Sequence, residues 1–222
     1  INVIEIFNKF YADLEVDLSR CCNNNARIAV LDKRFMELAK HVFNGHLDVN
    51  GEYEIRPLDI EFYFHQEDGF VKEPQMYHKG ALPYFPMFTL CPNRSGVDVT
   101  FENKKQKTRA SFLIRGYEYK AVGGKPEEIE EYVNTESSSL KVDTEGNIIE
   151  HFRPQYLWED LFGNASIDKS LTIKWVDGPH NYDESDIIPS ERLNVKALEG
   201  ENRRMWRFTN DTYLREKFGL NK

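Results

Sequence analysis

Residues Leu58–His65 (LDIEFYFH) alternate between two kinds of side chain, and this alternation constrains the fold more than any other feature of the chain. The even positions are apolar (Leu58, Ile60, Phe62 and Phe64), whereas the odd positions are polar or amphipathic (Asp59, Glu61, Tyr63 and His65). Successive side chains of a β-strand point to opposite faces of the sheet. The run therefore predicts a strand with one face in an apolar core and the other in a polar environment.

Further segments are predicted to be strands of the same sheet. Val97–Phe101 and Ala110–Arg115 show the same alternation. Upstream, Asn50-Gly51 separates two short alternating runs, and Asn-Gly readily adopts the positive φ angles of a two-residue hairpin turn. Residues 79–95 contain three prolines and no clear period, so they predict an ordered loop. Three more candidate strands lie nearer the C-terminus: Leu171–Val176, Arg192–Leu198 and Met205–Thr209.

Helices are predicted before the first strand. Apolar residues recur every three to four positions over residues 2–19, which is typical of an amphipathic helix. The pattern repeats after Asp32, a candidate N-cap, and Asn44-Gly45 is a stop signal. A short helix is predicted over Gln155–Phe162, and another from Asp211 to Gly219. Because no βαβ rhythm and no repeat is visible, we predict one α+β domain over residues 1–222, with a mixed, mostly antiparallel sheet or partial barrel and surrounding helices.

The composition excludes several classes of protein. Hydrophobic residues make up 40% of the 222 residues and aromatic residues 13%, so the chain can bury a core without disulfides or a structural metal. No apolar run approaches the ~18 residues that would cross a bilayer. The three cysteines, two of them adjacent (Cys21 and Cys22), give no CxxC spacing, which predicts a reducing, cytoplasmic compartment. Because the first residue is Ile1, the sequence is also compatible with a trimmed leader such as a signal peptide.

The charge is acidic overall but unevenly distributed. Lys and Arg total 29 against 37 Asp and Glu, a net charge of −8, which argues against a chain that coats nucleic acid non-specifically. Residues 102–120 nevertheless contain six basic and two acidic side chains, whereas residues 127–150 contain eight acidic side chains and one lysine. One edge of the molecule could therefore meet phosphate while another repels it.

The chain has none of the common cofactor or metal motifs: no GxGxxG, P-loop, HExxH, GxSxG or Cys/His zinc spacing. A metal site using Glu61, His65 and His78 is an alternative, but solvated or hydrogen-bonded histidines are favoured over it. We therefore expect neither a metal nor a cofactor.

Glu61 is the most informative candidate for chemistry. It lies between aromatic residues in IEFYF, and a carboxylate desolvated in this way suits a general base. Tyr63 projects from the same face, so a planar ligand could stack beside the carboxylate. Arg115, on another alternating strand, could orient a water molecule or pair with Glu61. The alternative is an ion pair between Glu61 and Arg115 with a purely structural role.

Five blocks of the sequence resemble, in the same order, the alkyladenine (3-methyladenine) DNA glycosylases, also called the methylpurine-DNA glycosylase family. They fall within residues 33–210 and resemble the family's E-A-Y, Gly-Met-His, L-L-R-A-L-E-P, A-I-(D/N)-K-S and P-R-I-G-V…P-W-R-F-Y segments. The matching segments here are Ile60–Tyr63, Gly96–Val99, Phe112–Glu118, Ser166–Ser170, and Arg192–Val195 followed by Met205–Phe208. The resemblance implies a methylpurine-DNA-glycosylase-like fold with an extra N-terminal helical segment over residues 1–30.

The resemblance also implies a mechanism and assigns roles by position. Such an enzyme flips a damaged purine out of DNA, and a Glu-activated water attacks C1′ to release the base, without a cofactor. Glu61 matches the catalytic base and Arg115 the arginine beside the catalytic water. Tyr63 and His78 match the rings on either side of the flipped base, and Val195 would offer a backbone carbonyl near the water. The implied partner is damaged DNA.

The chain departs from the family pattern at three positions. Ser95 occupies the place of the tyrosine wedge that fills the gap left by the flipped nucleotide. Asp98 replaces the His of Gly-Met-His, and Glu102 replaces an asparagine, which adds charge near the expected phosphate path. We therefore expect weak or altered DNA binding and a monomer. The second hypothesis is a non-catalytic or repurposed relative that binds purines or nucleic acid.

Overall fold

The computed structural model describes residues 2–81, 83–121, 132–133, 141–142, 148–150, 154–162, 170–178 and 182–212. The helices are α1 (Val3–Ser19), α2 (Asn24–Asn44) and α3 (Tyr156–Phe162). The strands are β1 (Gly45–Val49), β2 (Tyr53–Gln66), β3 (Leu90–Asn93), β4 (Gly96–Thr100), β5 (Thr108–Ala121), β6 (Tyr132–Val133), β7 (Lys141–Val142), β8 (Ile148–Glu150), β9 (Ile173–Asp177), β10 (Ile187–Ser190) and β11 (Arg207–Asn210). None of the described helices is long and apolar enough to cross a bilayer.

The described strands confirm the α+β class. Nine of them form one curled, half-barrel sheet, all of whose described pairs are antiparallel, in the central order β10-β11-β2-β5-β4-β3. β1 joins β2 at the predicted Asn50-Gly51 turn, where the two residues have φ angles of 58° and 70°, although Val49 pairs with Tyr53 and the connection therefore has three residues rather than two. β2 and β5 are the longest strands and pair along their full length, with an irregularity between Pro57 and Ile60. They form the spine of the sheet.

The structure confirms the first predicted helix and the end of the second, but the predicted start of the second helix was wrong. α1 confirms the predicted helix, and α2 ends at Asn44 as expected. The predicted start of α2 after Asp32 was wrong, because the cap is Asn23, whose side chain accepts the Ala26 N–H at 2.9 Å. Asp32 instead lies inside the helix and accepts a hydrogen bond from the indole of Trp206 at 2.7 Å. The role of the Asp32 side chain is therefore a tertiary contact with Trp206 and not helix capping.

Two predictions for irregular and extended segments also need correction. The predicted loop over residues 79–95 contains β3, and the predicted strand Arg192–Leu198 is irregular. In that segment Asn194 has a φ angle of 60°, which breaks an extended chain, and Arg192 is held in buried contacts. The side chains of the acidic segment 127–150, all but the last residue of Ser166–Ser170, and most of the predicted C-terminal helix lie outside the described residues.

The apolar core lies between the helices and one face of the sheet. Phe35 of α2 stacks on Phe62 of β2 with ring centroids 4.6 Å apart, and the edge of Trp206 meets Phe35 at 5.1 Å. α1 contributes Phe7 and Phe10 to the same cluster, so the segment before residue 30 is an integral part of the core. Since Ile60, Phe62 and Phe64 of β2 belong to this core, Glu61 and Tyr63 between them face the opposite side of the sheet.

We expect Phe35→Ala to destabilise the protein by about 3–5 kcal/mol, because it leaves a cavity among packed rings. The matched control is Phe70→Ala. The Phe70 ring is 69% exposed and contacts Arg27 only at the surface. This substitution should lower the free energy of unfolding by about 1 kcal/mol or less. Urea unfolding monitored by circular dichroism measures both. Equal losses in the two variants would contradict this account of the core.

Candidate active site

Glu61 and its cross-strand neighbours form a row across the face of the sheet that points away from α1 and α2. Arg207 of β11 lies opposite Glu61 of β2, Glu61 lies opposite Leu113 of β5, and Leu113 lies opposite Asp98 of β4. Side chains directly opposite one another in a sheet share a face. The row therefore places one carboxyl group on each side of Leu113, that of Glu61 and that of Asp98.

Glu61 is fully buried and held by three donors among the described residues. The Tyr63 hydroxyl donates to Oε2 at 3.0 Å, and Nη1 of Arg115 donates to the same oxygen at 3.3 Å. The backbone N–H of Leu193 donates to Oε1 at 2.7 Å. The predicted pairing of Glu61 with Arg115 is thus present, and a charge buried in this way needs such compensation.

A cavity of about 760 Å³ lies over this part of the sheet. Two of its described lining residues are charged, Arg94 and Arg115, and both are basic. The other described lining residues are Tyr63, Pro74, Gln75, Met76, Tyr77, Ser95, Leu113, Pro154, Gln155, Leu193, Asn194 and Val195. The cavity combines polar and apolar walls with positive charge, although the whole chain has a net charge of −8.

Two backbone features shape the cavity. Gly96 has a φ angle of 139°, and an added Cβ would lie 2.7 Å from the carbonyl oxygen of Pro154, so this position requires glycine. Asn194, which also lines the cavity, adopts a φ angle of 60°, which asparagine tolerates better than most residues. The turn at Asn194 presents the neighbouring Leu193 N–H to Glu61.

The structure brings most of the predicted site residues together. Tyr63, Arg115, Val195 and Ser95 line the cavity, and Glu61 lies beneath it, bonded to three of the residues in its walls. Their roles in binding and catalysis stay predictions.

His78 occupies a different environment. Its ring is buried, shares a 2.7 Å hydrogen bond between Nδ1 and Glu102, and meets the edge of Phe85. It is not among the described residues that line the cavity. Glu102 also accepts from Arg109 at 2.9 Å, so its charge is compensated internally and does not face a phosphate path as expected.

The alternative metal site does not form. Nδ1 of His65 accepts the backbone N–H of Glu73 at 3.0 Å, and Nδ1 of His78 is engaged by Glu102. Within the described ranges, no cluster of three or more His, Cys, Asp or Glu side chains could hold a metal ion.

Sequence reasoning missed four features of the site. Tyr77 is 60% exposed at the cavity, and its hydroxyl lies 3.2 Å from the Ser95 hydroxyl. Arg94 supplies positive charge, and Leu193 supplies the N–H donor to Glu61. Asp98 was recognised only as a departure from a family pattern. In β4, Asp98 points to the opposite face of the sheet from Val97 and Val99. This alternation predicts that Asp98 lies on the polar face.

Burial alters the acidity of two side chains beside Glu61. Desolvation, reinforced by the Glu61 carboxylate, raises the pKa of the Tyr63 phenol, which therefore stays a hydrogen-bond donor. Desolvation also raises the pKa of Asp98 to about 7; nearby His78 lowers it and Glu61 raises it further. Two carboxyl groups on one face thus have different environments.

Comparison with known proteins adds no relative. No protein-family model matches the chain, and no curated protein matches it.

The stability of the protein should depend on pH through Asp98. Its carboxyl group binds a proton more tightly when folded, with a pKa of about 7 against an ordinary 3.8. Stability is therefore lost as pH rises through this interval. Asp98→Asn cannot titrate, so its stability relative to wild type should grow by about 2–3 kcal/mol between pH 5 and pH 8.

Urea unfolding at the two pH values measures this difference. The matched control is Asp68→Asn, which removes an exposed carboxylate paired with Lys107 and should show no such gain. Parallel stability profiles for wild type and Asp98→Asn would contradict the assignment.

Proposed function

We propose that the protein is a monofunctional N-glycosylase that releases alkylated or deaminated purines from DNA, as a divergent relative of the methylpurine-DNA glycosylases. The observation that carries this proposal is the buried Glu61 carboxylate, fixed by Tyr63, Arg115 and Leu193 beneath a cavity of about 760 Å³. A general base must be held within reach of the proton that it accepts, and these three donors hold it.

The described donors leave one acceptor position of the Glu61 carboxylate for a water molecule. A carboxylate offers about four acceptor positions, and three are occupied by described donors. Nε of Arg115 is buried and has no partner among the described residues, so it can orient the water beside Glu61. The water then loses a proton to Glu61 as its oxygen attacks C1′ of the damaged nucleotide.

The cavity suits a purine nucleotide in size and charge. Binding sites for small molecules commonly enclose about 300–1,000 Å³ and combine apolar walls with a few polar groups. Tyr63 and Tyr77 provide aromatic surface for a base, while exposed Arg94 provides positive charge for a phosphate. Tyr77, rather than the buried His78, is then the second ring of the site.

The free thiols at positions 21, 22 and 91 support the further proposal of a cytoplasmic location.

A second candidate function is a non-catalytic module that binds purines or nucleic acid. Two observations favour it: Glu61 is held by three donors, as it would be in a structural ion pair, and Ser95 cannot wedge a base stack. Both candidates use the same cavity. They differ in whether a bound base is released.

Glu61→Gln tests the catalytic proposal. Glutamine keeps the volume of the side chain but cannot accept a proton, so base release should fall at least about 100-fold. The measurement is strand cleavage at abasic sites after incubation of oligonucleotides that contain hypoxanthine or 3-methyladenine.

The matched control, Asp68→Asn, removes a distant exposed carboxylate and should leave release unchanged. If the folded wild-type protein releases no base from double-stranded, single-stranded or nucleoside substrates, the glycosylase proposal is wrong and the binding module is favoured.

Tyr77→Ala tests the cavity for both candidates. Stacking on an aromatic face contributes about 1–3 kcal/mol per base, so binding of a hypoxanthine-containing single strand should weaken about 5- to 150-fold. Fluorescence anisotropy of a labelled oligonucleotide measures the affinity. Phe70→Ala removes a ring of similar exposure elsewhere and is the control. Equal affinities for Tyr77→Ala and Phe70→Ala would exclude Tyr77 from the binding surface.

A further inference from the structure

Exposed apolar side chains gather around the mouth of the cavity. Tyr77 and Leu193 line the cavity and are both exposed, whereas most large apolar side chains of the described residues are buried. Trp158 of α3 is also exposed, at 45%, and the turn before α3 supplies Pro154 and Gln155 to the cavity wall. Exposed apolar groups that gather around one opening are typical of a binding surface.

Trp158 lies next to the part of the wall that Gln155 forms. The backbone N–H of Trp158 donates to the carbonyl oxygen of Gln155 at 3.1 Å, and residues three positions apart are neighbours on the surface of a helix. Leu157 and Leu161 instead face the apolar core. The Trp158 ring contacts Phe162 with centroids 5.4 Å apart and keeps much of its surface open. An indole is therefore available for stacking beside the cavity.

A second, smaller cavity adjoins the first and is mainly basic. Its volume is about 20 Å³, enough for one water-sized atom, and Val195 lines both cavities. Its charged lining residues among those described are four basic side chains and one acid: Arg192, Lys196, Arg203, Arg204 and Glu191. Nε of Arg192 is buried and has no partner among the described residues. This small cavity can therefore accept one oxygen of an anionic group such as a phosphate.

Two cations beside the cavities are accessible to a phosphate. Arg94 at the larger cavity and Lys196 at the smaller one are both exposed. Neither forms an ion pair within the described ranges of the chain, whereas Arg203 is paired with Glu191. Positive charge is thus available at two places around the opening.

We propose that the substrate of this site is single-stranded DNA, held by the rim residues Tyr77, Arg94, Trp158, Leu193 and Lys196. This inference rests on the proposed glycosylase function and names the form of DNA on which it acts. The damaged base enters the larger cavity beside Tyr77. A neighbouring base stacks on Trp158, and the phosphates of the strand meet Arg94 and Lys196.

Stacking on the rim requires a base with an open face. In a duplex, both faces of each base are covered by the next bases in the stack, so Trp158 could stack only where the duplex had opened. In a single strand the bases can separate, and aromatic side chains bind them whatever their sequence. Surfaces that bind single strands combine such rings with basic groups along the backbone. The rim residues have this composition.

The charge of the chain also favours a single strand. A duplex carries one phosphate charge per about 1.7 Å of its axis, which is twice the density of one strand. The protein has a net charge of −8, and α1 alone carries four acidic residues and one lysine. Arg94 and Lys196 can neutralise few phosphates against this background. Stacking, rather than charge, therefore supplies most of the affinity for DNA.

The first experiment compares two forms of one oligonucleotide with the wild-type protein. A labelled strand of about 12 nucleotides with one hypoxanthine is used alone or annealed to its complement. Fluorescence anisotropy measures binding, and single-turnover kinetics at limiting protein measure base release. We expect the single strand to bind at least about tenfold more tightly and to lose its base at least about tenfold faster. This comparison needs no variant.

Trp158→Ala tests the stacking surface outside the cavity. Loss of one base–aromatic stack should weaken binding of the single strand about 5- to 150-fold. Release from the bound strand, measured at saturating protein, should stay the same because Trp158 does not reach the bond that breaks. Phe70→Ala removes an exposed ring elsewhere and should bind like the wild-type protein. Equal affinities for the two variants would overturn the assignment of Trp158.

Lys196→Gln tests the contact with phosphate through the dependence of binding on salt. For single strands, the logarithm of the binding constant changes with that of the salt concentration with a slope of about −0.7 per phosphate contact. Two contacts predict a slope of about −1.4 for the wild-type protein and about −0.7 for Lys196→Gln. Lys9→Gln on α1, an exposed lysine paired with Asp13, is the control and should keep the wild-type slope. An unchanged slope in Lys196→Gln would remove Lys196 from the surface.

The outcomes separate this inference from the proposed function. If the duplex is bound as tightly as the single strand and loses its base as fast, the single-strand inference is wrong although the glycosylase function stands. If the single strand is bound through Trp158 and Lys196 but no substrate loses a base, the glycosylase function fails and the binding surface stands. If neither form of DNA is bound, both fail.

Discussion

The register of β2 against β5 is the constraint on which the rest of the structure depends. Pairing of Phe62 with Phe112 places both rings in the core, and pairing of Glu61 with Leu113 places both on the opposite face. A shift by one residue would exchange the two faces and bury the acid among the rings. The stack of Phe35 on Phe62 opposes such a shift. The same packing that stabilises the fold therefore also holds Glu61 in its place.

Buried and half-buried arginines compensate the acids on the polar side of the molecule. Arg207 binds Asp59 through two nitrogens, Arg115 binds Glu61, and Arg192 and Arg204 both bind Glu73. Ion pairs of this kind contribute little net stability but are costly to break on one side only. For function, what matters about these ion pairs is the charge that they leave around the cavity. Although the chain is acidic, the charged side chains among the described lining residues of the cavity are basic.

The contrast between Glu61 and Asp98 shows how one sheet can hold two kinds of acid. Glu61 accepts hydrogen bonds from a guanidinium, a phenol and a backbone N–H. Asp98 accepts one bond from Asn93, and burial favours its neutral form. The two acids differ in their partners, while their strand positions are equivalent.

The sequence by itself determined the α+β class, the Asn50-Gly51 turn, the two faces of β2, and the choice of Glu61 with Tyr63 and Arg115, because each depends on local periodicity or on turn chemistry. Only the tertiary structure decided that Asp32 binds Trp206 rather than capping a helix, and that His78 pairs with Glu102 outside the cavity wall. It also decided that the N–H of Leu193 reaches Glu61. Those contacts join residues that are 24 to 174 positions apart in the chain. Which polar group meets which depends on how the curled sheet closes around the site, and no local pattern records that.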